Sequence, residues 1–384
     1  MSEAEADLAG AEAEGGATAE AVATEADVAE VALPGALRTR LCDLFGVRYP
    51  IVQTGMGWVS GARLTAATAN AGGLGILASA TMTYDELRTA ISEVKDRAPG
   101  KPFGVNLRAD QPDIVERLDL LIAEDVKVAS FAQAPSRDVI ARLKDHGVVC
   151  MPTIGAKRHA EKVAEWGVDA VIAQGAEGGG HTGTVPTSLL LPQVVDTVDI
   201  PVVGAGGFHD GRGLVAALAW GADGIAMGTR FLLTADSTVP EVIKHLYLAK
   251  TVNDTVVTKA IDGYPQRVVR TEVVDDLEKA SVVTRFPKAL RNALEFRRLT
   301  GTTWADLVRE GLAMKRNQDL TWAQLAMAAN APMLIKATMV DGRPEVGILP
   351  TGQGLGVMGD LPTVDELLAC IVAEATETLT RLGA

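Results

Sequence analysis

The sequence predicts an α/β protein: a (β/α)8 TIM barrel with an acidic tail before it and a mainly helical addition after it. Three observations carry this reading. Eight short apolar runs alternate with segments of helical periodicity. Small and polar residues gather directly after those runs, at Thr54–Gly57, Asn106, Gln174–His181 and Gly204–Gly207, which is the end where barrels build their sites. Hydrophobic residues make up 47% of the chain but aromatic ones only 4%, which suits a large core of Val, Ile, Leu, Ala and Gly. The competitor is a doubly wound open sheet. It would place a glycine fingerprint after a strand, whereas the GxGxxA match at Gly73, Gly75 and Ala78 opens and lies within one.

In chain order, residues 1–34 repeat Ala, Glu, Gly and Thr without a base or an aromatic, so they bury no face and read as a disordered acidic tail. The barrel is expected over 35–250. A short helix, LRTRLCDLFGV, leads into the first run, Pro50–Gln53. The others are Gly73–Ala78, Pro102–Leu107, Val126–Phe131, Val148–Thr153, Ala170–Gln174, Pro201–Gly204 and Gly224–Met227. Helical periodicity fills the intervals, as at Tyr84–Arg97, Ile114–Glu124, Asp138–His146 and Ala156–Trp166, and Val239–Ala249 is expected as the eighth helix. Beyond 250 the βα rhythm stops. The addition, 251–384, contains two short strand candidates, Thr255–Lys259 and Arg267–Thr271, and helices at Thr284–Arg298, Thr303–Lys315, Trp322–Ala329 and Val364–Leu382, expected to pack at the barrel mouth.

Charge and cysteine usage narrow the function. The net charge of −13 looks strongly acidic, but nine of the 49 acids and no base precede Arg38, so the rest of the chain is nearly balanced and offers no nucleic-acid surface. Cys42, Cys150 and Cys370 have no metal-ligand or redox spacing, and no metal is expected; a reducing cytoplasm is the simplest compartment. No run reaches the ~18 apolar residues of a membrane span.

Three glycine-rich turns follow the last three runs and would lie side by side at the mouth. In the second and third, Gly204, Gly206, Gly207, Gly228 and Thr229 form a phosphate clamp, with a helix beginning near Asp210 aimed at it. The first turn carries His181 among glycines at 175, 178, 179, 180 and 183. An imidazole on such a loop can act as general base or donate to a substrate oxygen, and the plainer alternative is a loop cap. His146, His159, His209 and His245 lie in outer helices or at a helix start and read as structural. Glu177 either orients His181 or caps its own turn. Gln53, Asn106 and Gln174 end or follow strands and offer amides that both donate and accept, matching the edge of a flavin ring. With one terminal phosphate to bind, flavin mononucleotide (FMN) is the most economical ligand.

These motifs resemble the nitronate monooxygenase family, formerly called 2-nitropropane dioxygenases, which are FMN-binding TIM barrels. The resemblance rests on PIVQTGM at Pro50–Met56, AGGLGIL at Ala71–Leu77, KPFGVNL at Lys101–Leu107, QGAEGGGHTG at Gln174–Gly183, IPVVGAGG at Ile200–Gly207 and AMGTRF at Ala226–Phe231. It implies that His181 is catalytic and that Gln53, Gly55, Met56, Asn106, Gln174, Gly179, Gly180, Gly206, Gly207, Ala226, Met227, Gly228 and Thr229 hold FMN. QTGMGWVSGARL, LASATMT, FLLTADSTVP and LTWAQLAMAANAPML look more specifically like the actinobacterial flavin oxidoreductases of steroid C/D-ring breakdown, which act on CoA thioesters of a bicyclic remnant.

The resulting expectation is an FMN-dependent oxidoreductase with NADH as electron donor and an acyl-CoA substrate. Arg285, Lys288 and Arg291, spaced by three, are candidates to receive CoA phosphates, against an ordinary solvated face. The rivals are a nitronate monooxygenase consuming oxygen, an FMN-dependent enoyl-thioester reductase, and a phosphate-binding barrel without redox function. A homo-oligomeric state and the direction of the redox step are left open.

Overall fold

The computed structural model describes residues 35–279 and 331–383. The acidic tail, the three helices expected between 284 and 329, and part of the LTWAQLAMAANAPML motif lie outside the described residues.

Eight parallel strands close into a barrel in the order β1 (Ile51–Gln53), β2 (Leu74–Ala78), β3 (Gly104–Leu107), β4 (Val128–Phe131), β5 (Val149–Ile154), β6 (Val171–Gln174), β8 (Val202–Ala205) and β9 (Gly224–Met227). Each falls inside one of the eight apolar runs or within a residue of its end. The sheet closes where Ile51, Val52 and Gln53 pair with Ile225, Ala226 and Met227. Almost every strand residue is buried, because a parallel barrel covers both faces of its sheet. Val52, Leu74, Ile76, Val128, Met151, Ile172, Val203 and Ala226 fill the interior, and Leu41 and Phe45 of α1 (Arg40–Phe45) plug its lower end.

Helices α2 (Ala62–Asn70), α3 (Tyr84–Arg97), α4 (Ile114–Ala123), α5 (Arg137–Asp145), α6 (Lys157–Glu165), α7 (Thr187–Val195) and α8 (Gly211–Ala219) occupy the intervals. Local chemistry sets their starts: Thr83 and Glu86 form a reciprocal capping box on α3, and Ser136 and Asp210 cap α5 and α8.

The eighth outer helix is not the one expected. After β9 come a four-residue turn of helix, α9 (Thr229–Leu232), and α10 (Glu241–Leu248), whose Tyr247 hydroxyl donates to Pro350 O at 2.8 Å. The helix packed between α8 and α2 is the carboxyl-terminal α13 (Val364–Leu382). Its buried residues Val364, Leu367, Leu368, Ile371, Ala375, Thr378 and Leu379, all but Thr378 apolar, make one stripe along the helix. The contact is close enough that a Cβ on Gly211 would run into the backbone of Ile371 and Ala375. The expectation for Val239–Ala249 is therefore corrected: that segment has the right periodicity, but the end of the chain supplies the larger apolar face and closes the ring.

The remainder of the addition has its own small core, with Ile261, Val268, Val274, Leu334 and Ile348 buried together. It contains β10 (Thr255–Thr258), β11 (Gln266–Val269), α11 (Glu272–Lys279) and α12 (Ala331–Met339). β11 pairs antiparallel with β10 on one side and with β7 (Gly180–His181) on the other. β7 is a two-residue strand in the histidine loop that sequence periodicity did not reveal, and it is what fastens the addition to the barrel mouth.

Candidate active site

His181 stands at the end of β7, with Gln266 of β11 as its cross-strand partner. Its Nε2 lies 2.8 Å from Asp262 Oδ2 and 3.2 Å from Gln266 Nε2. Asp262 and Gln266 are buried, whereas the imidazole is 64% exposed. Tyr264 meets the ring edge-on, at 5.9 Å between centroids. Burial, reinforced by Asp262, raises the Tyr264 pKa, and among the described residues its hydroxyl has no partner. None of these partners was read from the sequence. Asp262 is 81 positions from His181 and sits in an Asp-Gly turn, where an aspartate needs no further explanation.

The histidine loop is held from three sides. Gln174 Nε2 donates to His181 O at 2.8 Å. Arg267 donates two bonds to Ala176 O, at 3.0 and 3.2 Å, and one to Thr255 Oγ1 at 2.9 Å. Burial pulls the Arg267 pKa below the usual arginine value, with Glu177 opposing in part. The third support is the segment around Thr351–Gln353. Gln353 N donates to Glu177 O at 2.9 Å, and Gly352 N to Thr229 Oγ1 at 2.9 Å. This crossing passes so close that a Cβ on Gly179 would lie 2.5 Å from Thr351 C and 2.6 Å from Gly352 N. Glu177 takes neither of the two roles considered for it: its carboxylate accepts from Thr187 N at 2.9 Å and Thr187 Oγ1 at 2.8 Å, at the start of α7.

The glycine clamp is rearranged relative to expectation. Gly206 and Gly207 have φ of 97° and 84°, where a side chain is strained, and a Cβ on Gly207 would meet nothing nearer than the Glu177 side chain at 3.7 Å. The backbone at Gly207 is open to a ligand, whereas a Cβ on Gly206 would lie 2.9 Å from Gly178 N. The start of α8 is not open. Asp210 Oδ1 accepts from Gly213 N at 2.8 Å, and Glu374 of α13 accepts from Gly211 N at 2.8 Å, so carboxylates already take the amides of Gly211 and Gly213 at that helix end. Burial works against the Asp210 charge, but the Gly213 amide, Arg212 and His209 outweigh it and hold its pKa below the usual carboxylate range. The expectation that α8 aims free amides at a phosphate is thus corrected. Among the described residues no side chain accepts from the first turn of the short α9, which starts at Gly228 and Thr229, so its amides are open to an anion.

The other expected residues divide. Asn106 lies on the inner face with Ile76 and Val128, its Nδ2 3.4 Å from Ser130 Oγ, and Gly55 packs on it. Ala226 and Met227 are buried at the end of β9, and Met56 Sδ would touch a Cβ on Gly228 at 3.3 Å. Gly180, with φ of 64°, opens β7. Gln53 is not gathered with Asn106 and Gln174. It alternates with inward-facing Val52, and its Nε2 donates to Thr54 O, to Ser60 Oγ at 2.8 Å and to Ile76 O at 3.2 Å, bracing the first loop. Its buried Oε1 has no partner among the described residues and is the one atom it leaves for a ligand. In the same loop Trp58 has φ of 66° and donates from its indole to Pro332 O of α12 at 3.1 Å. Arg285, Lys288 and Arg291 lie outside the described residues. His209 contacts Gly207 O and Asp210, and His146 contacts Arg142 O, both on their own chain segments. A cleft of about 320 Å³ between Arg48, Tyr49, Asn70 and Lys101 lies at the opposite end of the barrel, away from His181.

Comparison with known proteins agrees with this geometry. The nitronate monooxygenase family matches residues 38–121 and 114–374, nearly the whole described chain. The chain belongs to the nitronate monooxygenase family. Within it, the chain is 59% identical over 348 residues to the (3aS,4S,5R,7aS)-5-hydroxy-7a-methyl-1-oxo-octahydro-1H-indene-4-carboxyl-CoA dehydrogenase of Rhodococcus jostii, covering 91% of this chain and 98% of that protein. It is 58% identical over 342 residues to the Mycobacterium tuberculosis protein of the same name, covering 88% and 96%. Among solved structures, FabK from Thermotoga maritima superposes with a TM-score of 0.72 at 34% identity, covering 90% of this chain and 98% of that one. As a member of this family the chain is an oxidoreductase, and the cofactor the family brings is a flavin.

Proposed function

We propose that the protein is an FMN-dependent dehydrogenase of a hydroxylated bicyclic CoA thioester, a remnant of steroid C/D-ring breakdown, with a nicotinamide nucleotide as redox partner. The observation that carries this reading is the coincidence of a histidine braced at a glycine-lined barrel mouth with 59% identity, over nearly its full length, to a dehydrogenase of that substrate. The residues at the mouth fit a flavin phosphate: Gly207 leaves its backbone open, and among the described residues no side chain caps the first turn of α9 at Gly228 and Thr229. Asn106 and Gln174 offer polar atoms for a ring edge.

When bound, the flavin supplies a two-electron acceptor for the hydride that leaves the carbinol carbon. His181 takes the hydroxyl proton as the C–H bond breaks and the C=O bond forms, so one hydride and one proton leave the alcohol. The histidine loop, pinned by Arg267 and by the Thr351–Gln353 crossing, keeps the imidazole at a fixed height over the mouth. In this direction NAD+ is the acceptor and NADH the product. NADH as donor, the sequence-based expectation, belongs to the reverse direction.

The test is an anaerobic absorbance titration of the flavin-loaded protein with three compounds in parallel. The hydroxylated bicyclic CoA thioester is expected to bleach the flavin band, and an alkyl nitronate and a crotonyl thioester to leave it unchanged. Bleaching by the nitronate alone, with oxygen uptake on aeration, would replace this reading with nitronate oxidation. Turnover of NADH with the crotonyl thioester alone would replace it with enoyl reduction.

A further inference from the structure

We propose that Asp262, seconded by Gln266, is the positioning residue that fixes the tautomer and direction of His181, leaving Nδ1 as the atom that receives the substrate proton. The inference deepens the reading above and rests on it for the role of His181.

Three donors converge on the Asp262 carboxylate. Tyr264 N donates to Oδ1 at 3.0 Å, Gln266 Nε2 donates to Oδ2, and His181 Nε2 approaches Oδ2 at 2.8 Å. An ionised carboxylate only accepts, so the ring nitrogen facing it carries the proton. The Gln266 amide nitrogen sits 3.2 Å from the same ring nitrogen and gives one of its two hydrogens to Oδ2; the shorter contact, 2.8 Å from Nε2 to Oδ2, decides for the proton on Nε2, since an unprotonated nitrogen there would set a lone pair against the carboxylate. The unprotonated lone pair is therefore on Nδ1.

The setting is built for this one contact. Asp262 is 5% exposed, and among the described residues no Lys or Arg forms an ion pair with it; the ring that faces it is that of His181. A buried carboxylate without a guanidinium or ammonium partner is a poor device for stability, which points to its effect on the histidine. Backbone pairing delivers the geometry, because the β7–β11 register puts Gln266 directly opposite His181 and the turn before β11 brings the Asp262 carboxylate to Nε2. The edge-on Tyr264 ring restricts rotation of the imidazole. The barrel thus carries the histidine, and the addition decides which of its nitrogens is basic.

The experiment is a long-range ¹H–¹⁵N NMR spectrum of the flavin-loaded protein with labelled histidine. The five histidines allow His181 to be assigned by the signals lost in His181→Gln. The wild type is expected to show the Nε2–H tautomer, and Asp262→Asn, whose amide can donate to Nε2, to shift His181 toward Nδ1–H. The same variant is expected to lose ~10²–10⁴ in kcat, by analogy with the carboxylate that orients a triad histidine, with KM and flavin content held within about threefold. A wild-type Nδ1–H tautomer, or an Asp262→Asn protein with unchanged tautomer and kcat, would overturn the proposal. The wild-type spectrum tests it even if Asp262→Asn fails to fold. If the wild type is Nε2–H but His181→Ala turns over normally, the base reading of His181 fails and the proton-accepting role of Nδ1 fails with it. A wild-type Nδ1–H form would instead overturn the positioning alone.

Discussion

Gly179→Ala tests whether the addition truly grips the histidine loop. The new methyl carbon would stand 2.5 Å from Thr351 C, 2.6 Å from Gly352 N and 2.9 Å from Thr351 O. Ordinary contact needs roughly 3.4 Å or more, so the loop and the crossing segment must separate by about 0.8–1 Å. Neither side is free to move. Gln353 N is bonded to Glu177 O at 2.9 Å, Gly352 N to Thr229 Oγ1 at 2.9 Å and Thr351 N to Arg267 O at 3.2 Å. Forcing a methylene-sized group into such a place costs about 1–3 kcal/mol, which lowers Tm by roughly 1–4 °C in a chain of this size. A shift of about 1 Å at His181 is worth roughly a hundredfold in rate. Thermal unfolding followed by circular dichroism and steady-state turnover on the same preparation measure both. Gly180→Asn is the control for stability. A Cβ at Gly180 meets nothing within 4 Å, and asparagine tolerates its φ of 64°, so Tm should fall by less than in Gly179→Ala. Wild-type Tm and turnover in Gly179→Ala would refute the grip.

Other consequences follow from the same geometry. Arg267→Met removes the forked bonds to Ala176 O and is expected to lower stability by about 1–2 kcal/mol in urea unfolding and to cut kcat at least tenfold, whereas unchanged kcat would mean that the loop holds without it. Asp210→Ala removes the α8 cap and should cost about 1 kcal/mol near neutral pH. Because the folded-state pKa of Asp210 is depressed, that contribution is present above its unfolded value of about 3.8 and is lost as pH falls through the lower folded value, so wild type and variant should converge in acid unfolding curves below about pH 4. Cys150 is buried in β5, where burial and the nearby Asp169 push its pKa up to about 12, so a thiol reagent near pH 8 should label the exposed Cys370 and spare Cys150, as peptide mapping would show.

The barrel could be read from the sequence because its signals are local: each strand is an apolar run, glycines or amides follow several of them at the catalytic end, and the His181 loop declares itself by composition. What could not be read depends on contacts between distant segments. Periodicity showed that Val364–Leu382 is a helix, but not that it displaces Val239–Ala249 from the outer ring, since both have an apolar stripe and only packing on α8 decides. It gave α8 a helix start near Asp210 without revealing that Glu374, 163 residues further on, takes its first amide. The Asp262 partner was hidden for the same reason. A two-residue strand such as β7 has no period to detect, and without its pairing to β11 nothing connects an Asp-Gly turn to the histidine. Gln53 was misjudged for a local reason, because a strand's last residue can face inward or outward and one position decides which.

The measurement that bears most directly on the central claim is the anaerobic rate of flavin bleaching by the hydroxylated bicyclic CoA thioester, made with hydrogen and with deuterium on the carbinol carbon, in the wild type and in His181→Ala. Hydride transfer from that carbon with His181 as base predicts bleaching that slows with deuterium and falls by ~10²-fold or more in the variant. Bleaching indifferent to both the isotope and the substitution, or none while the flavin is bound, would contradict it.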